Sequence, residues 1–279
     1  DGIIGETNGD DTGSECGTGL SGITVNLREP AATADAGTSS RCDSDAVGQI
    51  LDTQTTDAEG FYLFGPREPG DYCVEIIRPD ASYTCTELNV GTDSGDSDVR
   101  SPEAAAYVGD ALACITEQTI TLPSRTLDRT WDGGLWQTAS LGDLVFEDTN
   151  QNGRQDGGEP PVAGVPVALT DCSGNPVTDA DGNAVTGTTT DANGQYLFDN
   201  LVPGCYEVTF SPSRELTEAN TAGVDDAADS DADPTTGRTG PIQLPSGVYD
   251  DTWDAGLLPP PLAEIGNEVF LDQNGDGIR

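Results

Sequence analysis

Short runs in which every second residue is apolar recur along the chain, each closed by Gly, Asp or Asn. Val165-Pro166-Val167-Ala168-Leu169 and Tyr196-Leu197-Phe198 are clear examples. A period of two places alternate side chains on one face, the mark of a half-buried strand. No helical stripe of useful length interrupts the pattern. It predicts all-β modules of about seven strands each, folded as sandwiches. Tyr62, Phe64, Tyr196 and Phe198 alternate and are expected to point into the core. Trp131 and Trp253 are expected to plug it near the last strand. No run of 18 apolar residues offers a membrane span.

The pattern repeats. Thr56-Asp57-Ala58-Glu59-Gly60-Phe61-Tyr62-Leu63-Phe64 returns as Thr190-Asp191-Ala192-Asn193-Gly194-Gln195-Tyr196-Leu197-Phe198. Gly22-Ile23-Thr24-Val25 corresponds to Gly164-Val165-Pro166-Val167, and Pro69-Gly70-Asp71-Tyr72 to Pro203-Gly204-Cys205-Tyr206. Thr130-Trp131-Asp132 returns as Thr252-Trp253-Asp254. A third copy opens late: Leu141-Gly142-Asp143-Leu144-Val145-Phe146-Glu147-Asp148 reappears as Ile265-Gly266-Asn267-Glu268-Val269-Phe270-Leu271-Asp272. The expected organisation is module one at 1–137, module two at 138–260, and a first strand with part of a loop at 261–279. The link around Gln137 to Ser140 is short, so the modules are expected end to end. Pro259-Pro260-Pro261 makes a stiff spacer before the third segment.

Charge changes the picture. Fifty Asp and Glu face 11 basic residues, all Arg, for a formal net charge of -39. Such a chain repels nucleic acid and anionic membranes, and it repels itself unless cations intervene. Low hydrophobicity with high charge also suits disorder, which the β patterns oppose. The acidic loops could still order only with metal. His and Lys are absent. That removes Ser/His and Cys/His catalysis, Schiff bases and the Ser–Lys dyad. With this many acids a carboxylate pair arises by chance, so none argues for a glycosidase. The expectation is a non-enzyme. Seven cysteines suit an oxidising, extracellular compartment, and without a CxxC spacing they do not suggest zinc.

The sharpest chemical motif runs from Asp148 to Glu159. Oxygen-bearing side chains stand at loop positions 1, 3, 5, 9 and 12, with Gly153 at position 6. This is the spacing of a twelve-residue calcium loop. A hard cation takes six to eight oxygens, alternate residues turn inward, and glycine permits the bend. Asp148, Asn150, Asn152, Asp156, Glu159 and the carbonyl of Arg154 are the expected Ca2+ ligands. The rival reading is an Asn/Gly-rich hairpin without metal. Asp272, Asn274 and Asp276 restart the same motif in the third segment. A second acidic cluster, Asp225, Asp229, Asp231 and Asp233, has a counterpart in Asp93, Asp96 and Asp98. Carboxylates this dense repel one another unless a cation lies between them. A solvated loop is the alternative.

These blocks resemble the B-type repeats of the serine-aspartate (Sdr) surface proteins, within the wider collagen-adhesin B-like (Cna-B) group. The matching residues are Gly142 to Asp148, the Asn-Gly loop, Gly164 to Val167, Thr190 to Phe198 and Asp254 to Leu257. The resemblance implies tandem Greek-key, immunoglobulin-like sandwiches that bind calcium, with the Asp148 loop carrying it, and that serve as stalks or fibre subunits. Many such domains carry a Lys–Asn cross-link, which a chain without Lys cannot form. Disulfides and calcium are left to supply rigidity. Cys172 and Cys205 are the only pair in module two. By analogy of position Cys42 pairs with Cys73 and Cys85 with Cys114, leaving Cys16 free or joined to another chain.

Two roles remain open: a structural fibre or stalk, and an adhesin holding a protein or glycan through its loops. Aromatics confined to strand positions favour the structural role. Residues Glu264–Arg279 suggest two forms of partnership: donor-strand, head-to-tail assembly of copies, or continuation into neighbouring modules of a longer chain.

Overall fold

The computed structural model describes residues 19–33, 41–42, 47–86, 97–102, 111–220, 226–261, 271 and 273. The chain divides into two compact units, the first running to Ala139 and the second made mainly of residues from Ser140 onward. Both are built of strands. A single 3-10 turn, Asp226–Ala228, is the only helical element among the described residues.

In the first unit the strands are Thr24–Arg28 (β1), Ile50–Thr55 (β2), Gly70–Ile77 (β3), Tyr83–Cys85 (β4), Val99–Arg100 (β5), Ala113–Thr116 (β6), Ile120–Leu122 (β7) and Leu135–Gln137 (β8). One sheet runs β2-β1-β3-β6-β5, with β7 also on β3, while β4 and β8 pair separately. Strand alternation buries Val25 and Leu27 against Val74, Ile76 and Val99, and Tyr62, Phe64 and Trp131 pack on that core. On the other face of β1, Asn26 and Arg28 donate to the buried Glu75 carboxylate at 2.7 and 2.8 Å. Two donors on one buried carboxylate offset its desolvation. Cys42–Cys73 and Cys85–Cys114 are disulfides, their Cα atoms 5.5 and 5.8 Å apart.

The second unit comprises Ala139–Glu147 (β9), Pro166–Asp171 (β10), Thr188–Thr189 (β11), Gln195–Leu201 (β12), Gly204–Phe210 (β13), Ile242–Leu244 (β14), Tyr249–Asp250 (β15) and Ala255–Leu257 (β16). Sheet β11-β10-β13-β14 faces sheet β12-β9-β15, with β16 also paired to β9. Tyr196, Phe198, Val208, Phe210 and Leu141 are buried, and the Tyr196 and Phe210 rings meet edge to face at 5.3 Å. The first strand is the hub: β15 and β16, which end the unit, both run parallel to it. Cys172–Cys205 joins the end of β10 to β13. Each unit thus has eight described strands, against the seven or so expected.

One local device recurs in four turns. Asp57, Asp171, Asp179 and Asp191 each accept, on Oδ1, the backbone N–H groups two and four residues on. The residue three on is glycine at positive φ in every case: Gly60, Gly174, Gly182 and Gly194. A short carboxylate folding back on its own backbone is the Asx turn, and the left-handed corner selects glycine. The Asp-x-x-Gly element of the repeat is therefore turn chemistry rather than a ligand set.

Candidate metal centre

β9 delivers Asp148 to the mouth of the sandwich, where the carboxylate is fully buried. Its Oδ1 accepts the N–H of Asn152 at 3.1 Å, and its Oδ2 accepts the N–H of Gly153 at 2.8 Å and the Thr217 hydroxyl at 2.6 Å. Position 1 thus anchors the loop to the body of the unit and bends it through Gln151 and Gly153, both at positive φ. Further round, Asp156 Oδ2 accepts the side-chain amides of Asn150 and Asn152, each at 2.8 Å. Those bonds, Asn150 first, hold the Asp156 carboxyl below the usual carboxylate range. Glu159 closes the ring: Oε1 accepts the N–H of Thr149 at 2.8 Å and Oε2 that of Asp156 at 3.0 Å. Arg154 lies 3.7 Å from Asp156 through its guanidinium.

The fold brings the second acidic cluster beside this loop, a proximity that sequence spacing does not disclose. Gln155 donates its N–H to Ala228 O at 2.8 Å and Ser230 donates its N–H to Gly153 O at 3.1 Å, so the backbones of Arg154 and Asp229 pair as a short antiparallel ladder. Asp229 and Asp231 are buried, not solvated. Asp233 is turned away, capping the N–H groups of Thr235 and Thr236 in its own turn. Asp98 matches Asp231 in position and bonding. Asp93, Asp96, Asp225, Asp272, Asn274 and Asp276 lie outside the described residues, as do Cys16 and most of 264–279.

Asp231 leads to two acids whose role the sequence reading did not assign. Its Oδ2 accepts the N–H of Asp254 at 2.7 Å. Asp254 is fully buried, and its Oδ1 accepts the N–H of Leu144 at 3.1 Å. The half-buried carboxyl of Asp143 faces Asp254, and burial followed by that neighbouring charge pushes the Asp254 carboxyl well above the usual range. Burial also raises the Tyr196 phenol, with Asp254, Asp231 and Asp143 adding to it. Asp143 and Asp254 both sit in blocks that recur along the sequence, which is the signal that could have found them. The tryptophans are half-buried, and Trp131 packs on the first unit's core as expected. Trp253 is half-buried, its indole N–H donates to Asp250 at 2.9 Å, and its carbonyl accepts the Tyr196 hydroxyl at 2.7 Å. Trp131 repeats both bonds with Asp128 and Tyr62. An indole must satisfy its N–H, which keeps the ring at the rim.

Every group gathered at the Asp148 loop offers oxygen, the donor set of a hard divalent cation. Among the described residues no three Asp, Glu, His or Cys side chains converge on one point, so an ion here also needs amide, carbonyl or water oxygens.

Comparison with known proteins identifies the repeat. The SdrD B-like domain family matches residues 3–135 and 139–257. Serine-aspartate repeat-containing protein F of Staphylococcus epidermidis is 33% identical over 276 residues. Serine-aspartate repeat-containing protein D of Staphylococcus aureus strain Newman is 32% identical over 275. Each alignment covers 98% of this chain but only 13% and 17% of the respective relative. The minor pilin GBS52 of Streptococcus agalactiae matches with a TM-score of 0.30 at 15% identity, over 90% of this chain and 88% of that one. That score is too low to bear on fold or function. Two successive copies of the family unit, with their strands, turns and disulfides, make this chain a member of the SdrD B-like domain family.

Proposed function

We propose that the chain is a calcium-stiffened segment of an extracellular stalk or fibre, with the Asp148–Glu159 loop as its principal Ca2+ site. The observation that carries this is the closed ring in which Asp156 gathers Asn150 and Asn152 while Glu159 reaches back to Thr149. Bound there, calcium would supply two positive charges and accept a many-sided shell of oxygen ligands. Asp156 and Glu159 provide the charge, Asn150, Asn152 and the Arg154 carbonyl provide neutral oxygens, and Asp148 ties the loop to Thr217. Segment 228–230 bonds directly to residues 153–155, so ordering one loop orders the other. With a net charge of -39, cation uptake also relieves repulsion throughout the chain. Calcium affinity of ~10⁻⁴–10⁻³ M suits an extracellular module. Calorimetric titration tests this: a Glu159→Gln chain should lose one ion, and unchanged uptake would contradict it.

For assembly, the reading is that a strand like β9 is supplied between units. In the second unit β12, β15 and β16 all pair with β9. Ile265–Asp272 repeats the β9 sequence, and offered to another copy it has the same pairing available. Deleting 264–279 should abolish head-to-tail polymers. Polymers that persist would leave continuation within a longer chain as the partnership, in keeping with the small share of its relatives that this chain spans.

A further inference from the structure

After β7 the first unit runs Leu122-Pro123-Ser124-Arg125-Thr126-Leu127-Asp128-Arg129-Thr130-Trp131. After β14 the second repeats it as Leu244-Pro245-Ser246-Gly247-Val248-Tyr249-Asp250-Asp251-Thr252-Trp253. The backbone is left-handed at the same place in both, φ 66 at Arg125 and φ 71 at Gly247. Asp128 accepts from Thr130 and Trp131 as Asp250 does from Thr252 and Trp253. Pairing and charge are what differ. Tyr249 and Asp250 form β15 and run parallel to Ser140 and Leu141 of β9. Leu127 and Asp128 pair with no strand among the described residues, and Leu127 is 66% exposed.

Two cations flank this open edge. Arg125 and Arg129 are exposed, and among the described residues neither guanidinium has an ion-pair partner. Every other described arginine is in an ion pair or, for Arg78, on backbone carbonyls. In a chain of net charge -39, a pair of open guanidiniums is a local exception that suits a carboxylate from elsewhere. Arg125 also holds a backbone conformation that glycine adopts without strain. A side chain kept there against that preference implies a use for the side chain.

We propose that this edge receives the segment Ala263-Glu264-Ile265 of a second copy, with Glu264 set between Arg125 and Arg129. The proposal rests on the head-to-tail assembly above and names where the incoming strand enters. Ala263-Glu264-Ile265-Gly266 repeats Ala139-Ser140-Leu141-Gly142. Laid in the β9–β15 register, Glu264 stands opposite Leu127 and Ile265 opposite Asp128. Side chains directly and diagonally across such a pair are within reach of one another. The charges then match in both units. Neutral Ser140 lies opposite Tyr249, between Gly247 and Asp251 in the sequence, whereas Glu264 meets two arginines. At the second unit's edge Glu264 would face Asp251, so the arginines also direct the segment to the first-unit loop. Exposed ion pairs are individually weak, so they select the site while strand pairing supplies the affinity.

Sedimentation of the full chain over a range of concentrations, at low and high salt, tests this. Arg129→Glu and Glu264→Arg should each weaken association about fivefold at low salt, and less at high salt. The double variant Arg129→Glu/Glu264→Arg should associate better than either single variant, a recovery that misfolding cannot mimic. Arg125→Gly, which installs the second unit's residue, should weaken association while raising the first unit's melting temperature. Deleting 264–279 separates this proposal from the assembly it rests on. Association lost on deletion but unchanged in both single variants would overturn the Arg125–Arg129 dock alone. Association that survives deletion, or a wild-type chain that stays monomeric throughout, would overturn both.

Discussion

The backbone N–H of Asp254 donates to Oδ2 of Asp231 at 2.7 Å, and Asp231 returns its own N–H to the Asp254 carbonyl at 2.9 Å. Asp132 and Asp98 make the same two bonds in the first unit, at 2.7 and 2.9 Å. Ser230 and Ser97 add a hydroxyl that accepts the N–H of Gly256 and Gly134. A short acidic segment thus pins the start of the closing strand in both units. The acids that look like surface charge in the sequence are, in part, the fasteners of the fold.

The same knot includes a buried phenol. Tyr196→Phe removes the hydroxyl that caps the Trp253 carbonyl and leaves that carbonyl short of a donor. The expected cost is about 1 kcal/mol in a urea melt of the second unit. Tyr62→Phe should do the same in the first unit, where the phenol bonds Trp131. An unchanged midpoint in both would show that the bond carries no net stability.

Gly194 ends the Asx turn at φ +78, and a Cβ there would lie 2.5 Å from the Val145 carbonyl oxygen. Gly194→Ala therefore meets both a left-handed backbone and a rigid neighbour. The left-handed conformation alone costs roughly 1–2 kcal/mol. Gly174 has the same φ range but open space, so Gly174→Ala should cost less. Comparing the two melts separates conformation from clash.

Acid should loosen the turns. The Asn175 side chain, then its backbone N–H, lowers the pKa of the exposed Asp171 carboxyl. A carboxyl lowered in the folded state stabilises above its unfolded pKa, and that contribution fades as pH falls through the folded value. NMR titration of Asp171 should place its midpoint below the usual ~3.9 for Asp, and Asn175→Ala should raise it. A midpoint unmoved by Asn175→Ala would contradict this assignment.

The Cys172–Cys205 bridge spans 33 residues. Chain-entropy reasoning gives roughly 3–4 kcal/mol for closing a loop of that order. The Cys172→Ala/Cys205→Ala double variant should lose about that much stability in the second unit, read by denaturant titration, and leave the first unit's transition in place.

Alternation and repetition made the fold readable in advance. Val25 and Leu27, or Tyr196 and Phe198, declare a buried face by spacing alone. The Asp148 loop was legible for the same reason, since all its ligand candidates lie within twelve consecutive residues. Asp143 and Asp254 were not, because they are 111 residues apart and meet only through parallel pairing of β9 with β16. The bond that ties the half-buried Trp253 to Asp250 was not legible, because in sequence the apolar ring outweighs its one N–H. Thr217, bonded to Asp148, carried no sequence signal at all.

The most direct test of the account compares the melting temperature of the whole chain in millimolar calcium and in chelator, for wild type and for Glu159→Gln. Chelation should lower the wild-type second-unit transition, and Glu159→Gln in calcium should fall toward the chelated value. Identical wild-type melts with and without calcium would contradict it.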